Sequence, residues 1–187
     1  MSCVLTKGRT EPLCRDNVGG IKYIYFFKFI EYSDSQIEGT KGVEITAFPD
    51  TTLYRYEPNS ASFSETIGND DNGIKFEQSL TFGLAKQDVS TTNQLDLMQS
   101  IDLRYIVQYN SGKLRMGGVY NSSSVTGYSI ESGGAKSSLN GYNITISGTE
   151  EYAAPFISSL NIISSNSILL EDSFYLLLED TGKIILQ

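Results

Sequence analysis

The fold is decided by the stretch from residue 74 to residue 148, which opens with IKFEQSLTFGL (residues 74–84) and closes with GYNITISG (residues 141–148). In the opening segment apolar and polar residues alternate, and only Gln78 interrupts the apolar side. The closing segment alternates in the same way. A repeat of two residues is typical of a strand with one buried face and one solvated face. Both segments therefore predict strands of a sheet that covers a hydrophobic core.

The whole stretch predicts one unit: a long strand, a short helix and then a meander of strands. Residues 91–94 read TTNQ and fit a capping box, in which the Thr91 hydroxyl accepts the backbone N–H of Gln94. A single helix among antiparallel strands must lie across a sheet or plug one end of a barrel, because its apolar stripe needs a surface to cover. The residues of that stripe, at helical spacing, are Leu95, Leu97, Met98 and Ile101.

Further strand patterns surround and complete this unit. Residues 21–30 (IKYIYFFKFI) are apolar on nearly both faces, so this strand should be central or covered by another chain. Between residues 103 and 109, Arg104 and Gln108 alternate with apolar residues. The predicted fold class is mainly β, an antiparallel β-sandwich or barrel with one short flanking α-helix. The remaining short strand patterns occupy residues 43–47, 53–57, 63–67 and 114–120.

Three segments are predicted: an extended N-terminal arm (residues 1–20), a β domain (residues 21–157) and a small C-terminal β-hairpin or arc (residues 158–187). The arm is rich in Gly and in charges of both signs and has few core candidates. Residues 150–166 are the expected linker before the C-terminal extension. Residues 68–73 (GNDDNG) are the expected hairpin tip, which is either a solvated turn or a loop that touches a neighbour.

The C-terminal extension contains a near repeat. ILLED (residues 168–172) and LLLED (residues 176–180) are each a short apolar run cut by an acidic turn. Isolated hairpins of this size are only marginally stable in water. The apolar run from Phe174 to Leu178 would also be an aggregation hazard if it were left bare. The extension must therefore pack on the main domain or on another subunit.

The composition excludes several kinds of chemistry. The chain of 187 residues has no His, which removes the commonest general base and the commonest metal ligand. Cys3 and Cys14 are the only thiols; they are too few for a zinc site, and they are either reduced or joined in a disulfide. The acidic pairs at residues 70–71, 171–172 and 179–180 lack the spacing of calcium loops and are better explained as polar turn tips. We expect no catalytic residue, no cofactor and no metal site.

The charge pattern and the apolar runs limit the possible partners. The net charge is −8, whereas a surface that binds nucleic acid needs a basic stripe. An acidic wall would repel phosphate and would let DNA pass without sticking. No secretory signal is visible, and no apolar run approaches the roughly 20 residues that span a bilayer. We therefore expect a chain that is made and folded in a cytoplasm and has no membrane-spanning segment.

Four short motifs occur in a definite order along the chain. LTKGR (residues 5–9) is followed by CRDNVGGIK (residues 14–22), which runs into the aromatic strand. YIVQYNSG (residues 105–112) and GYNITISGTE (residues 141–150) follow the predicted hairpin tip and helix. This order, across about residues 3–157 taken as one domain, resembles virion structural proteins of tailed phages that infect Bacteroidota, including crAss-like phages. It is similar to tail tube proteins in particular.

The resemblance implies a structural subunit of the virion tail. Copies would form homo-hexameric rings that stack into a tube, and DNA would pass through the lumen without specific contacts. Inner strands of neighbouring subunits would join into a continuous barrel around the bore. Other tail or neck proteins would be further partners, and assembly would take place in the host cytoplasm. Contacts between subunits are predicted at Arg9, Arg15, Asp16, Asn69, Asp70, Asp71, Asn72, Phe174, Leu176 and Leu178.

Other functions stay open at this point. A neck ring, a tail terminator or a tube subunit of an injection system would have nearly the same fold. A β-sandwich binding module or adhesin belongs to a different class, and it predicts an exposed aromatic platform and a monomer in solution.

Deletion of residues 2–16 tests the predicted role of the arm. We expect the variant to remain a folded monomer by circular dichroism and to form no tubes in negative-stain microscopy, because the arm would lock neighbouring subunits together. Tubes of normal appearance from the deletion variant would refute this role.

Overall fold

Two β-sheets pack face to face in a β-sandwich-like arrangement, with one helix beside them. The computed structural model describes residues 19–33, 36–49, 51–70, 73–134 and 140–158. In chain order its elements are β1 (Ile21–Lys28), β2 (Glu38–Thr40), β3 (Glu44–Ala47), β4 (Tyr54–Tyr56), β5 (Ser60–Asp70), β6 (Gly73–Ala85), α1 (Val89–Met98), β7 (Leu103–Tyr109), β8 (Leu114–Gly117), β9 (Ser124–Glu131), β10 (Gly141–Glu150) and β11 (Phe156–Ile157). The mainly β fold class predicted from the alternation of apolar residues is confirmed.

Seven strands form a mixed sheet in the order β2-β3-β11-β8-β7-β1-β4. In it β11 is parallel to β3, and the other neighbouring pairs are antiparallel. The other four strands form an antiparallel sheet in the order β5-β6-β10-β9. The single meander expected within residues 74–148 is therefore wrong, since β7 and β8 lie in the seven-stranded sheet. The long-range pairing of β6 with β10 outweighs closeness in sequence.

The main core lies between the two sheets. The rings of Phe26 on β1 and Phe82 on β6 meet across it, with their centroids 5.5 Å apart. Burying an apolar side chain of this size contributes about 1.5–3 kcal/mol, so this interface is a major source of stability. The buried residues come from both sheets and from the helix, among them Ile24, Leu80, Leu95, Leu103, Tyr105, Val107, Tyr142, Ile144 and Ile146.

A second core covers the opposite face of the seven-stranded sheet. Side chains of β1 and β7 that point away from the first core enter this one, for example Tyr25, Phe27 and Ile106. Residues outside the strands, including Leu53 and Val119, cover them. The expectation that the first strand is central is confirmed, and its two apolar faces are both covered within the described part of the same chain.

The helix begins one turn earlier than predicted. Its N-cap is Asp88, whose carboxylate accepts the backbone N–H and the hydroxyl of Thr91, each at 2.7 Å. The predicted capping box of Thr91 and Gln94 is therefore wrong, because a carboxylate is a strong acceptor and is favoured at the positive end of the helix dipole. The hydrogen bond from the Thr91 N–H lowers the pKa of Asp88. The Tyr142 hydroxyl accepts the Asp88 N–H at 3.0 Å and holds this end of the helix on β10.

The apolar stripe of the helix is narrower than predicted. Leu95 and Met98 are buried in the main core. Leu97 is 60% exposed, and Ile101 lies beyond the end of the helix. The helix thus lies across one side of the core on two buried side chains.

The hairpin tip is tighter than predicted. The pairing of β5 with β6 continues without a register shift to Asp70 opposite Gly73, so only residues 71 and 72 connect the strands. The prediction of a long polar loop over residues 68–73 is therefore wrong. The polar residues 68–70 pair with residues 73–75 of β6 and so belong to the β-ladder.

The predicted linker over residues 150–166 is also wrong in its first part. Residues 156–157 form β11, which is inserted between β3 and β8. Residues 1–18 and 159–187 lie outside the described residues, so the predicted arm and C-terminal extension, with their boundaries, stay predictions.

Gly117 on β8 tests the packing of the main core. A Cβ atom there would lie 2.2 Å from Cζ of Tyr105, a fully buried ring that has no room to move. We expect Gly117→Ala to lower the free energy of unfolding by about 1–3 kcal/mol, measured by urea denaturation. Gly134→Ala is the control, because a Cβ there meets nothing within 4 Å, and it should change stability by less than about 0.5 kcal/mol. Equal stabilities of the two variants would contradict the close packing.

Candidate functional site

The outer face of the four-stranded sheet is rich in hydroxyl groups. These side chains alternate with the core residues, and the pairing register places them side by side, for example Ser64 opposite Ser79. Neighbouring hydroxyls approach each other, as between Thr81 and Thr145 at 3.3 Å and between Thr126 and Ser147 at 3.0 Å. Serine or threonine occupies the outward positions Ser60, Ser62, Ser64, Thr66, Ser79, Thr81, Ser124, Thr126, Ser129, Thr145, Ser147 and Thr149.

This face has few charges and no aromatic side chain. Among the described side chains its charged residues are Lys75, Glu77 and Glu131, and Lys75 pairs with Glu77 at 3.5 Å. The aromatic residues of the same strands point to the core side, as the register of Phe63, Phe76 and their neighbours requires. The face is therefore mainly a hydroxyl hydrogen-bonding surface and not an aromatic platform for sugars.

A groove of about 620 Å³ crosses this face. Strands β5, β6 and β10 form its floor and one side, with Ser64, Glu77 and Thr149 among the lining residues. Residues 121–123, between β8 and β9, and the start of β9 form the other side. The shape of the groove thus depends on how firmly the chain between β8 and β9 is held.

A buried arginine holds the start of that connection. Arg104 on β7 is 1% exposed, although its alternation with apolar residues suggested a polar side for the strand. Its guanidinium donates to the carbonyls of Ile30 at 2.6 Å and Val119 at 2.8 Å, and it lies 4.2 Å from the centroid of the Phe29 ring. Burial lowers the pKa of Arg104 to about 10, so the group stays protonated at neutral pH.

A buried carboxylate holds the rest of the connection. Glu150, at the end of β10, is 2% exposed and accepts the backbone N–H groups of Tyr120 and Asn121 at 3.1 Å. Burial raises the pKa of Glu150, while these two hydrogen bonds and the charge of Arg104 act in the opposite direction. Opposite charges from two sheets therefore fix the same short segment of backbone.

Two residues of this segment have left-handed backbone geometry. Gly118 has a φ of 67° and Ser122 a φ of 65°. A non-glycine residue in this region is uncommon and persists where its surroundings fix it. The sequence analysis did not predict that Arg104 and Glu150 hold this segment. The signal for Arg104 was a charged residue inside a strand whose neighbours are apolar on both faces.

The four-stranded sheet ends on both sides in an unpaired strand. Among the described residues, no further strand pairs with the outer edge of β5 or of β9. Edge strands are commonly protected by Lys or Pro, and neither strand contains Lys, Arg or Pro. Both edges therefore offer backbone N–H and C=O groups for pairing with another strand.

Few of the predicted contact residues fall within the described part of the chain. Asn69 is exposed near the end of β5, and the backbone of Asp70 closes the β5–β6 ladder. Outside the described residues lie Arg9, Arg15, Asp16, Asp71, Asn72, Phe174, Leu176 and Leu178.

The described residues contain no group of three or more His, Cys, Asp or Glu that could hold a metal ion. Within the same residues, no helix is both long and apolar enough to cross a membrane. No family model matches the chain, and neither a curated protein nor a solved structure matches it significantly.

The pH dependence of stability tests the burial of Glu150. Its pKa is raised above the usual 4.5, so between pH 4.5 and the raised value the folded state binds more protons than the unfolded state. The free energy of unfolding should therefore fall as the pH rises through this window, and Glu150→Gln should reduce that fall. Urea denaturation at a series of pH values measures the free energy of unfolding of both proteins.

The exposed Glu38 supplies the control for this measurement. Glu38→Gln makes the same chemical change as Glu150→Gln, at an exposed position. A Glu150→Gln profile parallel to the wild-type profile would show that Glu150 contributes nothing to the pH dependence.

Proposed function

We propose that this chain is a structural subunit of a phage tail, a tail tube protein, whose copies form hexameric rings. The rings stack into a tube that encloses the channel for DNA ejection. The observation that carries the proposal is the four-stranded sheet with two edges, β5 and β9, with which no other strand of the described residues pairs. The sequence resemblance to tail tube proteins supplies the identity of the assembly, and the virion tail is its proposed location.

The strand order favours a ring made by rotation. All neighbouring strands of this sheet are antiparallel, and their number is even, so β5 and β9 run in opposite directions. When copies are related by rotation about an axis, β9 of one copy meets β5 of the next in antiparallel orientation. Such a head-to-tail contact repeats until the ring closes. The joined sheets form a continuous barrel without edges.

The outer face of the sheet suits the inside of such a barrel. Tight binding of DNA comes from Lys and Arg on phosphates, and this face carries hydroxyls with a single lysine near its margin. A wall that consists mainly of hydroxyl groups, with few charges, neither holds nor strongly repels the phosphate backbone. This refines the expected acidic lining, because the net charge of −8 is not concentrated on this face.

Charge substitutions on the two edges test the proposal. Ser62 on β5 and Ser129 on β9 are exposed and lie on the outer face. We expect the wild type to form rings and tubes in negative-stain microscopy. Ser62→Lys with Ser129→Lys should stay monomeric in size-exclusion chromatography, because like charges meet at every joint.

Ser62→Lys with Ser129→Glu is the matched control, since it carries the same number of new charges. Opposite charges then face each other, and tubes should form again. The proposal fails if the wild type stays monomeric at high concentration, which is the behaviour of a binding module. It also fails if the double lysine variant assembles like the wild type.

A further inference from the structure

The β5–β6 hairpin extends beyond the main core and carries apolar side chains with it. On its core-facing side Leu80 is 0% exposed, whereas Ile67 is 69% exposed and Ile74 is 64% exposed. The register places Ile67 opposite Phe76, on the same side of the hairpin as Leu80. We call the surface formed by Ile67, Ile74 and Phe76 the hairpin surface. Adjacent exposed apolar side chains of this kind mark a contact site.

The base of the hairpin lies beside the end of the described chain. The Glu65 carboxylate accepts the backbone N–H of Ala154 at 2.7 Å and pairs with Arg115 at 3.4 Å. Ile67 is two residues further along β5, about 7 Å away. Ser158, the last described residue, is four residues after Ala154, at most about 14 Å. The chain therefore leaves the described structure close to the hairpin surface.

Arg115 connects the base of the hairpin with the end of the described chain. The Arg115 guanidinium lies 5.5 Å from the centroid of the Phe63 ring and 5.3 Å from that of Phe156. Phe156 is 43% exposed. Phe156, two residues before Ser158, and Phe63 on β5 thus flank the same guanidinium at the base of the hairpin.

We propose that residues 174–178 (FYLLL) of the same chain cover the hairpin surface. Phe174, Leu176 and Leu178 are spaced by two, so in an extended segment they share one side and match an apolar strip. Residues 159–173 can span up to about 50 Å when extended, which is more than the distance from Ser158 to the hairpin requires.

Tethering favours the chain's own segment over that of a second copy. A segment on a short linker has an effective concentration on the order of millimolar, above that of a second copy in dilute solution. This inference does not depend on the proposed tail tube function, because it concerns contacts within one chain. It assigns Phe174, Leu176 and Leu178 to the hairpin surface of their own chain and not to the predicted contacts between subunits.

Disulfide trapping in the full-length chain tests the contact. In a background with Cys3→Ser and Cys14→Ser, Ile74→Cys is combined in turn with Phe174→Cys, Leu176→Cys or Leu178→Cys. We expect at least one pair to form an intrachain disulfide under mild oxidation, seen as faster migration in non-reducing electrophoresis. Val89→Cys on the helix, which replaces a side chain 78% exposed, is the control partner and should not form it.

The outcomes of the trapping separate the possibilities. Cross-linked dimers in place of intrachain products would assign the hairpin surface to another copy and overturn the proposal. Intrachain yields no higher than those of the Val89→Cys control would overturn it as well.

Hydrogen exchange, in the background that keeps Cys3 and Cys14, gives a second measurement. Ile67→Ser with Ile74→Ser should raise the exchange rate of residues 174–178 by about tenfold, since two apolar contacts are lost. Val89→Ser with Leu97→Ser removes two exposed apolar side chains from the helix and should leave that rate unchanged. An unchanged rate in the hairpin variant would overturn the proposal.

Discussion

Burial of β1 and β7 on both faces is the constraint on which the rest of the structure depends. One face requires the four-stranded sheet and the helix, and the other requires residues outside the strands such as Leu53 and Val119. Leaving either face in water would forfeit about 25 cal/mol for each Å² of apolar surface. The chain must therefore supply strands to two sheets and lead its connections across the back of the larger one.

The same burial explains how two charges come to lie inside the protein. Arg104 lies on a strand with no solvated face, so its guanidinium finds backbone carbonyls and an aromatic ring in place of water. The Glu150 carboxylate accepts hydrogen bonds from backbone N–H groups in place of water. Removing either group would leave partners unsatisfied in the interior. The two charges fix the connection between β8 and β9, and with it one side of the groove on the hydroxyl face.

Alternation predicted β6 and β10, but it missed β9 and reached only residues 63–67 of β5. The strands β6 and β10 span enough residues for a period of two to be read, and the apolar run of β1 indicated its central place. A strand of two residues such as β11 has no period, and only its neighbours in space define it. For the candidate site, the outward serines and threonines follow from the strand pattern. The roles of Arg104 and Glu150 do not, because both depend on loops that are distant in sequence.

The insertion of β11 has a consequence for biosynthesis. Among the described residues, strands β2 and β3 pair with the rest of their sheet only through residues 156–157. Before residues 156–157 have been made, the nascent chain can pair β1, β4, β7 and β8. The β2–β3 hairpin then has no strand through which it can pair with them. This sheet is therefore completed only after residue 157 has been made, and a chain that stalls before residue 156 would present unpaired strand edges to the cell's chaperones.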